Sequence, residues 1–156
     1  MAKIFALIAF SSVLAVTVVS RPKWLSANEF LMDFASQEAL ALMSVILTVT
    51  LASVANIHVA INRVVTERFN GNGELKSLAK EVKSEITDNA WYIFAGFVVV
   101  IVVLLVKGLN MENEVVLAIC HAIVLWILLL YVLCMLDIYR VIFGILNLES
   151  DLPPSK

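Results

Sequence analysis

Four long apolar blocks divide the sequence and restrict what it can fold into. They cover residues 4–19, 39–61, 90–106 and 115–136. A membrane hydrocarbon core about 30 Å thick is crossed by roughly 20 helical residues, with a range of about 17–25. The second and fourth blocks reach this length comfortably, the third just reaches it, and the first is slightly shorter. The pattern predicts one all-α integral membrane domain, residues 1–156, with four transmembrane helices.

The composition agrees with this fold class. The chain is 62% hydrophobic and 15% charged, whereas a soluble domain is roughly 45–50% apolar and about 25% charged. Four spans also leave too few residues for a separate soluble domain. The predicted location is therefore a cell membrane that the chain crosses several times, which would be the inner membrane of a bacterium.

The first block has an alternative interpretation as a secretory signal peptide. Lys3 would supply the charged start, and Val18 and Ser20 have the spacing of a small-residue cleavage site. Of these two interpretations, we expect a retained span.

The distribution of basic residues predicts the orientation. With a cytoplasmic N-terminus, Lys3, Arg63, Arg68, Lys76, Lys80, Lys83, Arg140 and Lys156 lie on the cytoplasmic side, and Arg21, Lys23 and Lys107 lie on the other. The positive-inside rule therefore predicts that both termini are cytoplasmic, together with a loop at 63–89 and a tail at 137–156. Lys107 is expected to snorkel outward at the outer end of the third span.

The loop at 63–89 contains the signature of an amphipathic helix between spans two and three. Leu75, Leu78, Val82 and Ile86 recur at helical spacing, and charged residues occupy most other positions. One interpretation is that this helix packs on its own protein or on lipid headgroups. The other is that it docks a soluble partner beside the end of the fourth helix. The predicted docking residues are Lys76, Lys80, Lys83 and Arg140.

The segment between spans one and two predicts a helix in the outer interface. Ser26 and Glu29 have the spacing of a capping box, which would start the helix at Ala27. This helix would either run straight into the second span or break near Asp33–Ser36, and the sequence is compatible with both.

The second span carries polar residues that lipid hydrocarbon cannot satisfy. At about 100° per residue, its small and polar side chains fall in an arc of about 80°, opposite a bulky aliphatic side. Small faces let helices approach closely, and Ser, Thr and Asn form hydrogen bonds across the contact. We predict an interface, either within the chain or between copies of it, and expect Val54 and Ile57 on the bulky side to face lipid or loose packing. The predicted interface residues are Ala41, Ser44, Thr48, Ala52, Ala55 and Asn62.

The histidines and cysteines do not predict a shared site. His58 and His121 differ in depth by about 19 Å under this topology, which is too far for a common metal ion. Each is expected to be a packing residue; the alternative is a pH-sensitive or pore-lining role, for which His121 is the better candidate. Cys120 and Cys134 lie about 21 Å apart along one helix, too far for a disulfide. No metal or cofactor is predicted.

The sequence also argues against several function classes. No Asp, Glu, Lys or Arg lies in the central part of a block, although ion-coupled transporters depend on such residues. No catalytic triad, zinc-protease motif or Gly-rich phosphate loop occurs, so enzymatic activity is not predicted. The formal net charge is −2 and no basic patch lies outside the central loop, so direct binding of nucleic acid is not expected.

In size, span number and predicted topology, the chain resembles the small four-span membrane subunits of bacterial phage-defence operons, such as the membrane component of Kiwa-type systems. The resemblance rests on architecture and on no diagnostic residue. It implies a homo-oligomer that works with a cytosolic protein. The predicted function is a homo-oligomeric scaffold or sensor that recruits a cytosolic partner. The alternative is a pore-forming subunit that permeabilises the membrane.

Overall fold

The apolar blocks form long helices. The computed structural model describes residues 2–68 and 73–150, which contain helices and short turns and no strand. The helices in chain order are α1 (Ala2–Ser20), α2 (Lys23–Ser26), α3 (Glu29–Asp33), α4 (Ala39–Arg68), α5 (Gly73–Leu109) and α6 (Glu114–Ser150). Residues 69–72 of the predicted loop and 151–156 of the predicted tail lie outside the described residues.

Three helical stretches are long and apolar enough to cross a membrane. They are Glu29–Arg63, Lys76–Leu109 and Glu114–Gly144, and Phe5–Ser20 is a shorter apolar helix. Large hydrophobic side chains are exposed along all of these stretches, for example Val16, Val45 and Leu105. An apolar surface of this extent is unusual for a soluble monomer and suits contact with lipid.

The four long helices form a row in the order α1, α6, α5, α4. α6 packs on both α1 and α5, and α4 packs mainly on α5 and touches α6 only over a short stretch. The larger hydrophobic core joins α4, α5 and α6, and a smaller cluster joins α6 to α1, α2 and α3. Met43 of α4, Ile93 and Val100 of α5, and Val124 and Tyr131 of α6 are each at most 1% exposed within the larger core. Because α4 stands at the end of the row, one of its flanks has no neighbouring helix among the described residues.

A glycine allows α5 and α6 to approach closely. A Cβ atom added at Gly96 would lie 2.8 Å from Cε1 of Tyr131 and 3.0 Å from Cγ2 of Ile127. The Tyr131 hydroxyl donates a hydrogen bond of 2.5 Å to the carbonyl oxygen of Ile93. Since this bond anchors the ring beside the α5 backbone, the aromatic ring occupies the space that a side chain at Gly96 would need.

The helices α4, α5 and α6 extend beyond their apolar blocks and stay in contact there. Ile86 of α5 and Ile138 of α6 are buried, and Val65, Val82 and Val141 pack against the same core. The predicted amphipathic helix is therefore not a separate element. It forms the first part of α5, where Val82 and Ile86 pack in the core shared with α4 and α6, whereas Leu78 is exposed. We call these parts of the three helices, residues 62–68, 73–89 and 137–150, the helical extension.

The start of the outer helix differs from the prediction. Ser26 ends α2, and the N-cap residue of α3 is Asn28, whose Oδ1 accepts a hydrogen bond of 3.1 Å from the Leu31 backbone N–H. The predicted start at Ala27 is therefore wrong by two residues. Asn is as good an N-cap as Ser, and the chain uses it in place of the predicted capping box.

The helix then breaks before the second apolar block, which resolves the question that the sequence left open. Ala35 (φ −76°, ψ 56°) and Ser36 (φ −144°, ψ −136°) have non-helical backbone angles within the wide turn Phe34–Glu38. Such a break misaligns carbonyl groups that would otherwise accept helical hydrogen bonds. In a lipid environment these groups need other donors.

Lys107 supplies those donors. Its Nζ donates hydrogen bonds of 2.9 Å to the Met32 carbonyl oxygen and 2.8 Å to the Ala35 carbonyl oxygen. The side chain is only 5% exposed. The expectation that Lys107 snorkels outward is therefore wrong, because the ammonium group turns inward to the carbonyl groups at the break.

Two further side chains of α6 hold the neighbouring elements in place. His121 donates from Nδ1 to the Leu25 carbonyl oxygen at 2.8 Å, which joins α6 to α2. Trp126 donates from Nε1 to Ser11 Oγ, also at 2.8 Å, which joins α6 to α1. Both α2 and α1 are thus hydrogen-bonded to α6.

We predict that Lys107→Met lowers the stability of the fold. The substitution keeps an unbranched side chain but removes the donors to two carbonyl groups, and a buried group left unpaired costs about 1–3 kcal/mol. The measurement is thermal unfolding in detergent micelles followed by circular dichroism. Lys23→Met is the control, because Lys23 is exposed and only 3.7 Å from Glu114 in a surface ion pair of little expected value. Equal unfolding midpoints for the two variants would contradict the role given to Lys107.

We also predict that Gly96→Ala destabilises the contact between α5 and α6. The added methyl group must displace Tyr131, and overpacking typically costs about 1–3 kcal/mol. Gly144→Ala is the matched control, since nothing lies within 4 Å of a Cβ added there. The same unfolding assay should show a lower midpoint for Gly96→Ala and an unchanged or higher one for Gly144→Ala.

Candidate functional site: the open face of α4

α4 has one packed face and one open face. Met43, Ile57 and Ile61 are at most 7% exposed and belong to the core shared with α5 and α6. The expectation that Ile57 and its side of the helix face lipid or loose packing is therefore wrong. Lipid chains are as apolar as Leu, so a bulky aliphatic face suits a protein core as well as a bilayer.

The six predicted interface residues all lie on the opposite side and are exposed. At about 100° per residue, the centre of their arc is about 160° from the buried arc of α4. No described part of the chain covers them. We call this surface the open face; its residues are Ala41, Ser44, Thr48, Ala52, Ala55 and Asn62.

The polar groups of the open face are partly satisfied by α4 itself and by α5. Thr48 Oγ1 donates a hydrogen bond of 2.8 Å to the Ser44 carbonyl oxygen, which leaves the Thr48 oxygen available as an acceptor. At the other end, Asn62 Oδ1 accepts a hydrogen bond from Lys83 Nζ. The side chains between these ends are small, so another helix could approach the backbone of α4 closely.

The predicted docking residues lie in the helical extension. Lys76, Lys80 and Arg140 are exposed, whereas Lys83 is half-buried beside Asn62. Lys83 therefore connects the two sets of residues that the sequence treats as separate, since its ammonium group touches the end of the open face.

The two histidines hold contacts between different elements. The Thr87 hydroxyl donates to the Lys83 carbonyl oxygen at 2.8 Å, so it accepts from His58 Nε2, which lies 3.3 Å away. His121 is fully buried and bonds to the Leu25 carbonyl oxygen. Each histidine thus has its own partner, and in the described part of the chain no group of three or more His, Cys, Asp or Glu residues could hold a metal ion. Cys120 and Cys134 are buried and form no disulfide bond with each other, in agreement with the helical distance between them.

Sequence reasoning did not single out Thr87. Besides contacting His58, it lines a cavity of about 280 Å³ between α4 and α5. Lys83, Thr87 and Phe94 have the spacing of one helical face, so this alignment was available in the sequence. The cavity beside this face could not be predicted from the sequence, because it depends on how α4 packs on α5. The cavity is lined by Leu51, Val54, Thr87, Ala90, Trp91 and Phe94.

Comparison with protein-family models, with curated proteins and with solved structures found no match to this chain. A functional interpretation therefore has to come from the geometry of the described residues.

We predict opposite effects for substitutions on the two faces of α4. Ile57→Ala leaves a cavity in the core and should destabilise the single chain by about 2–5 kcal/mol. Ala52→Leu adds volume on the open face, where no described residue has to move, and should leave the unfolding midpoint of the detergent-solubilised monomer within experimental error. Destabilisation by Ala52→Leu with no effect of Ile57→Ala would show that α4 is rotated relative to this structure.

Proposed function

We propose that the chain is a membrane subunit that assembles with copies of itself through the open face of α4 and so forms a scaffold. The observation that supports this most directly is that a small and polar face of a candidate membrane span is covered by no described part of the same chain. In lipid, the hydrogen-bonding capacity that Thr48 and Asn62 keep beyond their bonds within the chain can be used only by another protein. A second copy of α4 carries complementary groups at the same depth.

The expected energies are sufficient for assembly when several contacts form together. An interhelical hydrogen bond in a membrane contributes about 0.6–2 kcal/mol. Close approach of small residues adds dispersion contacts along the whole interface. An open face that offers both along about six turns of helix has the features of a membrane helix interface.

The proposal includes the predicted four-span topology with both termini in the cytoplasm. α1 has 19 residues, so it is about 28 Å long, close to the thickness of the hydrocarbon core. It packs along α6, which already qualifies as a span. In this orientation the helical extension projects into the cytoplasm.

The cytoplasmic task that we propose for the scaffold is recruitment of a soluble protein. The helical extension supports this because it is a packed structure with exposed charges, including Lys76 and Arg140. The link to phage defence stays a prediction from architecture, since the comparisons found no match.

A pore is the second candidate function, because copies of α4 around an axis would place Ser44 and Thr48 towards it. The bond from Thr48 to the Ser44 carbonyl oxygen favours the scaffold, since the hydroxyl proton is satisfied without water. The open face also carries no charged residue, whereas cation and anion pores often use rings of charge. Release of ions from liposomes containing the purified protein would support the pore, and intact liposomes would support the scaffold.

Cysteine cross-linking in membranes tests the assembly. The wild-type chain is a suitable background because both of its cysteines are buried. We expect Thr48→Cys and Ala55→Cys to give cross-linked dimers with a short bismaleimide. Val102→Cys, on an exposed part of α5 (54% exposed), should give few.

Two results would contradict the proposed assembly. One is the absence of cross-linked dimers at both positions of the open face, and the other is an equal yield at Val102→Cys. Adding Ala52→Leu to Thr48→Cys provides a further check, because the larger side chain should separate the helices and lower the cross-linking yield.

A further inference from the structure

The cavity between α4 and α5 has an almost entirely apolar lining. Leu51, Val54 and Phe94 contribute apolar walls, and the ring of Trp91 stands edge-on to Phe94 with 5.5 Å between ring centroids. Thr87 stands at the end nearer the helical extension, and its hydroxyl group is bonded to the Lys83 carbonyl oxygen and to His58. The cavity is open on one side, so a chain-like apolar molecule can enter it laterally from the bilayer.

Trp91 fixes the depth of this cavity. Its side chain is 62% exposed, and it lies beside Tyr92 at the position where interfacial aromatic residues are found. At 1.5 Å per residue, Thr87 and Lys83 lie about 6 Å and about 12 Å farther along α5 from Trp91, towards the helical extension. The headgroup layer is about 5–8 Å thick on each side of the hydrocarbon core. The flexible side chain of Lys83 can therefore reach the phosphate level.

The charges of α5 are segregated with respect to the cavity. At about 100° per residue, Lys76, Lys80 and Lys83 share an arc of about 80° with Thr87, Trp91 and Phe94. The acidic residues of the same stretch, Glu81, Glu85 and Asp88, fall in a separate arc whose centre is about 130° away. The number of acids along the loop matches the number of bases, but on the side of the cavity the charge of α5 is positive.

Lys83, which lies beyond Thr87 on α5, keeps hydrogen-bonding capacity for a ligand. An ammonium group has three donors, and one of them bonds to Asn62 Oδ1. The amide nitrogen of Asn62 is a further donor on the same side. Lys83 and Asn62 lie beyond Thr87 and outside the cavity lining. Together they offer a cation and an amide donor, a combination that suits a phosphate group.

From this arrangement we propose that the α4–α5 cavity binds an anionic phospholipid of the adjacent leaflet. One acyl chain lies along Leu51, Val54 and Phe94, and the phosphate group lies near Lys83 and Lys80. A soluble acidic protein matches the lysine residues but not an apolar cavity at membrane depth. A zwitterionic lipid matches the cavity but gains less from the lysines, because its headgroup carries no net charge. The inference requires only that the chain spans a bilayer, and it is independent of assembly through the open face.

Native mass spectrometry of the full-length chain in detergent tests this site with two defined probes, dioleoylphosphatidylglycerol and dioleoylphosphatidylcholine. The wild-type chain should retain phosphatidylglycerol in preference to phosphatidylcholine. Each lysine near an anionic surface changes affinity by about fivefold. Lys80→Gln with Lys83→Gln should therefore weaken binding of phosphatidylglycerol by about 25-fold and leave that of phosphatidylcholine nearly unchanged.

Two further variants separate a defined site from diffuse attraction. Arg21→Gln with Lys23→Gln removes the same charge at the other membrane surface and should leave the binding of phosphatidylglycerol unchanged. Leu51→Trp fills the cavity from an exposed position and should reduce the binding of both lipids while the lysines remain.

The proposal is overturned by equal retention of the two lipids, by an equal effect of the two charge-removing variants, or by unchanged binding in Leu51→Trp. It is also overturned if the Lys80/Lys83 variant loses a soluble protein partner and keeps its preference for phosphatidylglycerol. Circular dichroism of each variant checks that the helices remain folded, and a result counts only for folded protein.

Discussion

The bonds from the Lys107 ammonium group to two backbone carbonyl groups allow an apolar chain to change direction next to lipid. A helix satisfies its own backbone, but a break exposes carbonyl groups, and hydrocarbon offers them no donor. Lys107 reaches from α5 to the break at Ala35 and Ser36 and provides that donor. The outer segment can then turn across the end of α6, where the Leu25 carbonyl accepts from His121. This turn directs the chain from α3 into α4, which then packs beside α5 and takes its place at the end of the row.

The helices themselves could be predicted from the sequence because apolar length and turn residues are local properties. Three of the four predicted blocks lie in helical stretches that qualify as spans, and Phe5–Ser20 is the shorter one. The break near Asp33–Ser36 could be proposed but not decided, since it depends on a donor from a residue 72 positions away. The same distance explains why Lys107 was expected to point outward. Its role follows from a tertiary contact that no local pattern contains.

The two faces of α4 show a different limit of sequence reasoning. Periodicity separated the small, polar side from the bulky side correctly, but it could not say which side meets the rest of the chain. In water, burial would favour the bulky side at once. In a membrane, the lipid and the protein core are both apolar, so packing with α5 decides which side of α4 is buried. The structure places Ile57 in the core and leaves Ala52 exposed, a choice that periodicity alone could not make.

The continuity of α5 has a mechanical consequence. Its 37 residues form a rod about 55 Å long, and it joins the level of Lys107 to the helical extension without a break. A tilt of 10° about its midpoint would displace each end by about 5 Å in opposite directions. Because α5 is continuous, a displacement of its Lys107 end would be accompanied by an opposite displacement of the helical extension.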